Sequence, residues 1–310
     1  MIDILGKRYL FFALSILIIL PGMILWAING LPLAIDFKGG SILEISFASG
    51  TAPSNTDVFE LYKTQGITDV QVQPTSDKSI LIIRTPFLDE KAQGEMIRVI
   101  ETKFNDQVII RTSDSVGPTV GKEVASRAAI AVAIAGLAVI IYITYAFRGI
   151  PHAFRYGICA IIAMIHDIAI VMSLVNIGGK FFGWQVDALF LTALLTVIGF
   201  STQDKIVVFD RIRENTTVLR RLPFETLVNH SIIQTLQRSI NTQLMTVEFM
   251  LLALTLFGGV TLREFAVILL VGLLSGTYSS IFTAAPILVV WEKKEWRTWF
   301  KTGKAKTATL

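Results

Sequence analysis

Six long apolar runs divide the chain and predict helices that cross a membrane. They lie at residues 9–27, 125–147, 153–175, 186–209, 242–257 and 265–291. A membrane-spanning helix needs about 20 predominantly apolar residues to cross a hydrocarbon layer about 30 Å thick. The first run exceeds the roughly 7–15 residues of a signal-peptide core, which indicates an uncleaved helix with a tolerated kink at Pro21. The pattern therefore predicts a polytopic α-helical membrane protein with six transmembrane helices.

A polar segment separates the first apolar run from the second, and its short alternating runs predict a small α+β domain. Strands are expected at residues 42–47, 70–73, 79–84 and 107–112, and helices at 56–64 and 89–104. Ser54 or Asn55 would open the first helix, because both residue types are good N-caps. The resulting order β-α-β-β-α-β is that of the ferredoxin-like motif.

Lysine and arginine residues are concentrated on one side of the predicted helices. If the chain crosses six times, four basic stretches share that side: residues 7–8, 148–155, 211–238 and 293–306. The two turns on the other side carry only Lys180 and Arg263. Basic loops lie in the cytoplasm by the positive-inside rule, so both termini are predicted to be cytoplasmic and the small domain external.

This assignment divides the chain into four predicted parts. Residues 1–28 form a cytoplasmic head and the first helix, and residues 29–122 form the external domain. Residues 123–292 form a five-helix transmembrane region with a cytoplasmic loop at 210–241, and residues 293–310 form a basic cytoplasmic tail. In the loop, Pro223 is expected to open an amphipathic helix, which would lie on the membrane, lie against a partner or simply connect two spans.

Composition agrees with a membrane protein and excludes several other classes. The chain is 53% hydrophobic and 17% charged, with a mean hydropathy of +0.61, which is more apolar than a soluble domain of this length. The single cysteine, Cys159, excludes a disulfide framework within the chain and a cysteine-based metal site. The formal net charge of +4 is small and unevenly placed, so it indicates membrane orientation rather than nucleic-acid binding.

Residues 117–122 invite comparison with a phosphate-binding loop, but the spacing is wrong. Three residues separate Gly117 from Gly121 where that motif has four, and Glu123 stands where a Ser or Thr would bind magnesium. No nucleotide cofactor is therefore expected. The segment is interpreted as a hinge between the external domain and the second span.

Ionisable residues interrupt three of the apolar runs. His166 and Asp167 lie in the third run, and Asp204 and Lys205 lie in the fourth. Arg238 lies at the start of the fifth predicted span, and Glu248 lies deeper within it. An ionised group at the bilayer centre costs about 2.5–3.5 kcal/mol on insertion scales, so such residues need a partner or a function. One interpretation is a proton or ion relay. The alternative is that they only fix helix register through interhelical hydrogen bonds.

A relay needs a carboxylate that changes protonation state and a partner that remains charged. Asp204 and Arg238 have these properties and lie toward the cytoplasmic ends of consecutive spans. Lys205 is about 100° around the helix from Asp204 and is expected to face elsewhere, with competition as a counter-charge left open. The positions predicted to support the relay are Ser201, Thr202, Gln203, Asn241, Thr242 and Thr246.

The last apolar run contains a ridge of small residues at four-residue steps. Gly272, Gly276, Ser280 and Ala284 occupy it, and such ridges allow helices to approach closely. Whether it packs on this chain or on a partner is left open by the sequence.

The assembled motifs resemble the SecD/SecF family of bacterial protein-export subunits over nearly the whole chain. They are DFKGG at 36–40, VGPTVGKE at 116–123, His166-Asp167, the stretch 198–215 and QTLQRS at 234–239. The single small external domain and the run DRIREN at 210–215 favour the SecF branch.

The resemblance implies a fold similar to the resistance-nodulation-division transporters, with this chain as one six-helix half that pairs with SecD. It implies a non-enzymatic subunit of the bacterial inner membrane, without a cofactor, that uses the proton-motive force late in protein export. Its implied surroundings are the SecY/SecE/SecG channel with SecA, the proteins YajC and YidC, membrane lipid and the unfolded polypeptide in transit.

By the pattern of this family, the acid and arginine of the relay fall on Asp204 and Arg238. The chain departs from the usual family residues at Phe200, Gln203, Lys205 and Glu248. Two other classes stay open. A small-molecule exporter of the same superfamily would have two large external domains and twelve helices, and an assembly subunit would use its charges only to fix helix register.

Overall fold

Five helices in the described part of the chain are long and apolar enough to cross a membrane. The computed structural model describes residues 3–75, 77–148, 152–243, 249–257 and 260–297. Within them, the five candidate spans are Leu5–Asn29, Pro118–Ala146, Ala153–Phe182, Ala188–Val218 and Leu262–Glu292. Residues 244–248 of the run at 242–257 lie outside the described residues. Six transmembrane helices therefore stay a prediction.

The described residues form helices, a π-helical segment and four strands. The helices are α1 (Arg8–Asn29), α2 (Ile35–Lys38), α3 (Asn55–Thr64), α4 (Glu90–Phe104), α5 (Pro118–Ala146), α6 (Ala153–Phe182), α7 (Ala188–Val218), α8 (Phe224–Ile240), α9 (Phe249–Phe257), α10 (Val260–Ser279) and α11 (Ala285–Glu292). A π-helical segment, Ser280–Ala284, joins α10 to α11. The strands are β1 (Gly40–Phe47), β2 (Gln71–Pro74), β3 (Ile80–Thr85) and β4 (Val108–Val116).

The chain divides into two compact units. One comprises Trp26–Val132 and Val175–Thr192, and the other comprises Met1–Leu25, Ala133–Leu174 and Ala193–Leu310. The unit that contains Trp26–Val132 is called the sheet unit, and the other is called the helical unit.

The sheet unit is built around four antiparallel strands in the order β2-β3-β1-β4. Alternating residues of β1 and β3 point into a core with the apolar faces of α3 and α4, including Ile45, Ile83 and Ile100. Both helices begin at a side-chain cap: Ser54 Oγ accepts from the Asp57 amide at 3.2 Å, and Asp89 Oδ1 accepts from the Ala92 amide at 2.8 Å. The predicted order of strands and helices is therefore present.

Strand β4 continues four residues beyond its predicted end. Its last residues are polar, so they lack the apolar alternation that marks a half-buried strand. Their hydroxyl groups bond to strand β1 and to helix α4: Ser115 Oγ and Ser41 Oγ are 2.7 Å apart, Gln93 Nε2 donates to Ser115 Oγ at 2.6 Å, and Ser113 Oγ donates to Gln93 Oε1 at 2.7 Å. A polar seam therefore extends the strand to Val116, which pairs with Gly40.

Residues 117–122, which were interpreted as a hinge, lie at the start of α5, which begins at Pro118 and packs closely there. Gly39 has φ +79°, a conformation that favours glycine. A Cβ atom on Gly121 would lie 2.7 Å from the Gly39 backbone nitrogen. Two backbone segments touch at this point because neither carries a side chain.

We expect the Gly121→Ala substitution to lower the free energy of unfolding by about 1–3 kcal/mol, because backbone atoms must move to admit the methyl group. Thermal unfolding of the purified chain measures this loss. Gly94, in the middle of α4, is the matched control, since a Cβ there meets no atom within 4 Å. Gly94→Ala should stabilise by about 0.5–1 kcal/mol. Equal effects of the two substitutions would contradict the close backbone contact.

The turn between α6 and α7 belongs to the sheet unit and is tied to its first residues. Val186 donates its amide to the Pro32 carbonyl at 2.7 Å, and Ala34 donates to the Val186 carbonyl at 2.9 Å. Asp36 Oδ2 accepts from the Ala188 amide at 3.0 Å. The acid of the DFKGG motif thus satisfies one of the free amides at the start of α7.

The helical unit has a core of aromatic and aliphatic residues. Tyr156 stacks on Phe147 at 5.5 Å and meets Phe209 edge-on at 5.3 Å between ring centroids. The apolar face of α8, including Val228 and Ile232, is buried in the same core. Helix α8 is therefore a connecting helix whose apolar face packs on this chain.

An ion-pair cluster in the helical unit joins residues near both ends of the chain. Arg8 Nη1 contacts Glu225 Oε1 at 2.6 Å, and Arg8 Nη2 contacts Glu295 Oε1 at 2.7 Å. The hydroxyl of Tyr9 donates to Glu295 Oε2 at 2.8 Å. Burial raises the pKa of Glu295, but the hydrogen bonds from Tyr9 and Arg8 and the charge of Arg8 leave this pKa below its ordinary value.

A lowered folded-state pKa means that Glu295 contributes stability above its ordinary pKa, and that this contribution is lost as the pH falls below that value. We expect Glu295→Gln to lower the free energy of unfolding by about 1–2 kcal/mol at neutral pH. The difference from the unsubstituted protein should close as the pH falls below about 4. Thermal unfolding across this pH range measures it, with Glu214→Gln, in the more exposed pair with Arg211, as the control. If the difference in unfolding free energy between Glu295→Gln and the unsubstituted protein does not change with pH, the negative charge of Glu295 is not the source of its stabilising effect.

Candidate ion-coupling site in the membrane helices

Asp167 is the most heavily hydrogen-bonded carboxylate in the described residues of the predicted spans. It lies in α6 with 1% of its side chain exposed. Its Oδ2 atom accepts from Ser201 Oγ at 2.5 Å and from Ser279 Oγ at 2.7 Å. Its Oδ1 atom accepts from Ser275 Oγ at 2.7 Å. Three hydroxyl groups from two other helices therefore surround a buried negative charge.

Lys205 supplies the opposite charge. Its Nζ lies 2.8 Å from Asp167 Oδ2, and 1% of the lysine side chain is exposed. The same Nζ contacts Ser201 Oγ and lies 3.4 Å from the Ser201 carbonyl oxygen. Lys205 faces a different direction from Asp204, as expected, and its counter-charge is Asp167. One turn of α7 separates Ser201 from Lys205, so both reach the same carboxylate.

The ridge of small residues in α10 allows this arrangement. A Cβ on Gly272 would lie 2.3 Å from Val197 Cγ2, and one on Gly276 would lie 3.0 Å from Ser201 Cβ. The ridge therefore packs on α7 of this chain. A Cβ on Gly272 would also lie 3.2 Å from Val171 Cγ2 of α6, so α10 lies close to α6 as well, and the short side chains of Ser275 and Ser279 reach Asp167.

His166 completes the surroundings of Asp167. Its Nδ1 lies 3.1 Å from Asp167 Oδ1, and its ring stacks on Tyr278 with centroids 5.9 Å apart. When Nδ1 carries the proton of a neutral imidazole, Nε2 carries the lone pair. That Nε2 is buried and has no hydrogen-bond partner among the described residues.

Asp204 lies one residue before Lys205 and has separate surroundings. Its Oδ1 accepts from Ser239 Oγ in α8 at 2.7 Å. Its Oδ2 accepts from Ser280 Oγ at 2.6 Å, at the first residue of the π-helical segment. Asp204 is 8% exposed. Two hydroxyl groups, rather than a cation, are its direct ligands.

Arg238 shares a cavity with Asp204. The cavity has a volume of about 170 Å³ and is lined by Phe200, Gln203, Asp204, Val207, Arg238, Ser239, Thr242 and Gln243. No ion pair within 4.0 Å joins the two charged residues in the described part of the chain, and Arg238 is exposed. Their role as the acid and arginine of a relay stays a prediction.

The supporting positions divide into three groups. Ser201 donates to Asp167, while Thr202 Oγ1 donates to the Ile198 carbonyl at 2.7 Å along its own helix. Gln203 and Thr242 line the cavity, and Asn241 is exposed beside it in sequence. Thr246 and Glu248 lie outside the described residues.

Consecutive serines connect the surroundings of the two carboxylates. Ser279 donates to Asp167, and the next residue, Ser280, donates to Asp204. This step falls where α10 passes into a π-helical turn, a feature that is frequent at functional sites. Ser239, Ser275 and Ser279 were not predicted as ligands, and Ser280 was predicted only as a packing residue. Two polar runs within apolar segments, STQDK at 201–205 and SGTYSS at 275–280, are the sequence feature that could have indicated these contacts.

The fold and the site define a polytopic membrane protein with a small antiparallel sheet and ionisable side chains held between its transmembrane helices. Residues 96–294 match the family described as "Protein export membrane protein SecD/SecF, C-terminal". Residues 24–50 match the "SecD/SecF GG Motif". The first match covers more than half of the chain, and the chain therefore belongs to the SecD/SecF family.

Similar relatives carry the name protein translocase subunit SecF. The one from Anaerolinea thermophila is 66% identical over 309 residues, with 100% of both chains covered. The one from Thermobaculum terrenum is 45% identical over 322 residues, with 99% of each covered.

The solved structure of SecDF, described as a translocon-associated membrane protein from Thermus thermophilus, is similar with a TM-score of 0.81 and 29% identity. That match covers 94% of this chain and 39% of SecDF. This chain thus spans about two-fifths of the longer protein.

Proposed function

We propose that this chain is the SecF-type subunit of a bacterial protein-export machinery, paired with SecD in the inner membrane. Full-length similarity to two relatives named SecF supports the proposal. Similarity to SecDF, of which this chain matches 39%, supports pairing with SecD. In this role it acts beside the SecY/SecE/SecG channel with SecA, YajC and YidC, on an unfolded polypeptide, and it is a transport component rather than an enzyme.

We further propose a topology of six transmembrane helices with both termini in the cytoplasm and a ferredoxin-like domain outside. The strand order β2-β3-β1-β4 with α3 and α4 supports the domain assignment. The basic stretches at residues 7–8, 148–155, 211–238 and 293–306 support the orientation.

The chemistry of Asp204 carries the proposal that the subunit uses the proton-motive force. A serine hydroxyl donates to an ionised carboxylate and rotates to accept from a protonated one. Ser239 and Ser280 therefore serve both protonation states of Asp204 without a change of partners. The cavity beside Asp204 supplies a route for the proton, and Arg238, which stays charged, lines the same cavity.

Asp167 has the opposite character. Its partner Lys205 is a buried cation at 2.8 Å, so loss of the negative charge would leave an unpaired ammonium ion. The proposed function therefore assigns proton exchange to Asp204 and a fixed structural role to the Asp167–Lys205 pair. This pair is also the observation that favours the second candidate, an assembly subunit in which charges only fix helix register.

The two candidates differ in their dependence on the proton-motive force. Membranes depleted of their own SecD and SecF would be supplied with this chain and its SecD, and completion of a late export intermediate would be followed with and without a protonophore. Under the proposed function, the chain restores a completion step that the protonophore abolishes. A step that is restored but indifferent to the protonophore supports the assembly subunit, and no restoration contradicts both.

A further inference from the structure

The ammonium group of Lys205 occupies a pocket made of oxygen atoms. We propose that the surroundings of Asp167 form a site for a monovalent cation, and that in this chain Lys205 fills this site permanently with its own charged group. Removing the ammonium group should therefore create a site for Na⁺ that the unsubstituted protein does not offer.

The geometry of the pocket carries the first step. Lys205 Nζ contacts Asp167 Oδ2 at 2.8 Å, the Ser201 hydroxyl, and the Ser201 carbonyl at 3.4 Å. Carboxylate, hydroxyl and carbonyl oxygens are the ligands that hard cations prefer. Ser279 Oγ bonds to the same carboxylate oxygen at 2.7 Å. An oxygen-lined pocket thus surrounds a positive charge on a flexible four-carbon stem.

The charge of the pocket decides the class of cation. The groups that face Asp167 are His166 on α6, Ser201 and Lys205 on α7, and Ser275 and Ser279 on α10. Among these described groups, Asp167 supplies one negative charge and Lys205 one positive charge. Asp204 is bonded to Ser239 and Ser280 and not to this group. A single negative charge matches a monovalent cation, whereas Ca²⁺ sites use 6–8 oxygen ligands with several carboxylates.

Burial makes the occupation by Lys205 permanent. Both members of the pair are 1% exposed, and separating a buried ion pair leaves uncompensated charges. Lys205 therefore stays in place and excludes other cations. If the proposed function holds, this leaves Asp204 as the exchangeable acid of the described spans and closes the Asp167 pocket to Na⁺.

The test uses the purified full-length chain in detergent, and its readout is independent of export. Lys205→Ser removes the ammonium group and leaves space and one further oxygen. In mildly alkaline buffer, replacing choline chloride by NaCl at equal ionic strength should raise its unfolding temperature by about 3 °C or more. The unsubstituted protein should show no such shift.

Two further variants keep the proposal falsifiable. Asp167→Asn combined with Lys205→Ser removes the carboxylate and should abolish the NaCl effect. Lys205→Ala also vacates the position of the ammonium group, and it replaces Lys205→Ser if that variant does not accumulate. The proposal is overturned if the unsubstituted protein responds to NaCl as the variants do. It is also overturned if the Lys205 variants never respond to NaCl.

Discussion

The Asp167→Asn substitution is expected to lower the free energy of unfolding by about 3–5 kcal/mol, because it leaves the Lys205 ammonium ion buried without its counter-charge. The pair is 2.8 Å apart, and 1% of each side chain is exposed. Asparagine has nearly the volume of aspartate, so packing changes little. Equilibrium unfolding of the purified chain in mixed detergent micelles measures the loss.

The exposed pair of Lys38 and Asp69 is the matched control. Its atoms are 3.1 Å apart, but 64% of each side chain is exposed. Asp69→Asn applies the same chemical change in water and should cost less than about 1 kcal/mol. A comparable cost for the two substitutions would show that burial does not govern the Asp167–Lys205 pair.

A double variant separates the pair from its surroundings. Asp167→Asn with Lys205→Met removes both charges, and such replacements of buried ion pairs are often neutral or stabilising. We expect the double variant to recover most of the stability lost by Asp167→Asn alone. If the double variant loses as much stability as Asp167→Asn and Lys205→Met lose together as single variants, the two charges are not coupled and the ion pair has no energetic role.

The plan of the small domain could be predicted from the sequence because local signals agree there. Ser54 and Asp89 each cap a helix, as their positions before apolar-periodic runs indicated. Strand β4 was predicted too short because Ser113 and Ser115 look like turn residues. Their bonds to Gln93 and Ser41 depend on tertiary structure, which periodicity does not report.

Five of the six predicted spans match long apolar helices in the described residues, but the partners of their charges were not predicted. Helical geometry gives the angle between Asp204 and Lys205, about 100°, and therefore separates their directions. It does not say what lies in each direction. Lys205 faces Asp167 on α6, while Asp204 faces Ser239 on α8 and Ser280 after α10.

The serine ligands were missed because a serine in a membrane helix has two uses. Small residues allow close packing, and hydroxyl groups donate hydrogen bonds across helices. The ridge in α10 does both, since Gly272 and Gly276 bring α7 close while Ser275 and Ser279 bind Asp167. Spacing identified the packing role. The hydrogen-bonding role required knowledge of which acid the ridge faces.

The largest functional effect is expected for Asp204→Asn. Completion of export driven by the proton-motive force should fall to the level of membranes that lack the chain, because asparagine does not exchange a proton. The pocket should still accept the side chain, since the hydroxyls of Ser239 and Ser280 can donate or accept. Stability should therefore change by no more than about 1 kcal/mol. Export assays with and without a protonophore measure the first quantity, and unfolding in micelles measures the second.

Asp69→Asn, in the sheet unit, provides the control for Asp204→Asn in the export assay and should leave export unchanged. Copurification with SecD must also be equal for Asp204→Asn and the unsubstituted chain, so that loss of export is not loss of assembly. Export that remains sensitive to the protonophore in Asp204→Asn would contradict proton exchange at this residue. Since Asp204 has two hydroxyl ligands and Asp167 has a buried ammonium ion, only Asp204 is expected to combine lost coupling with retained stability.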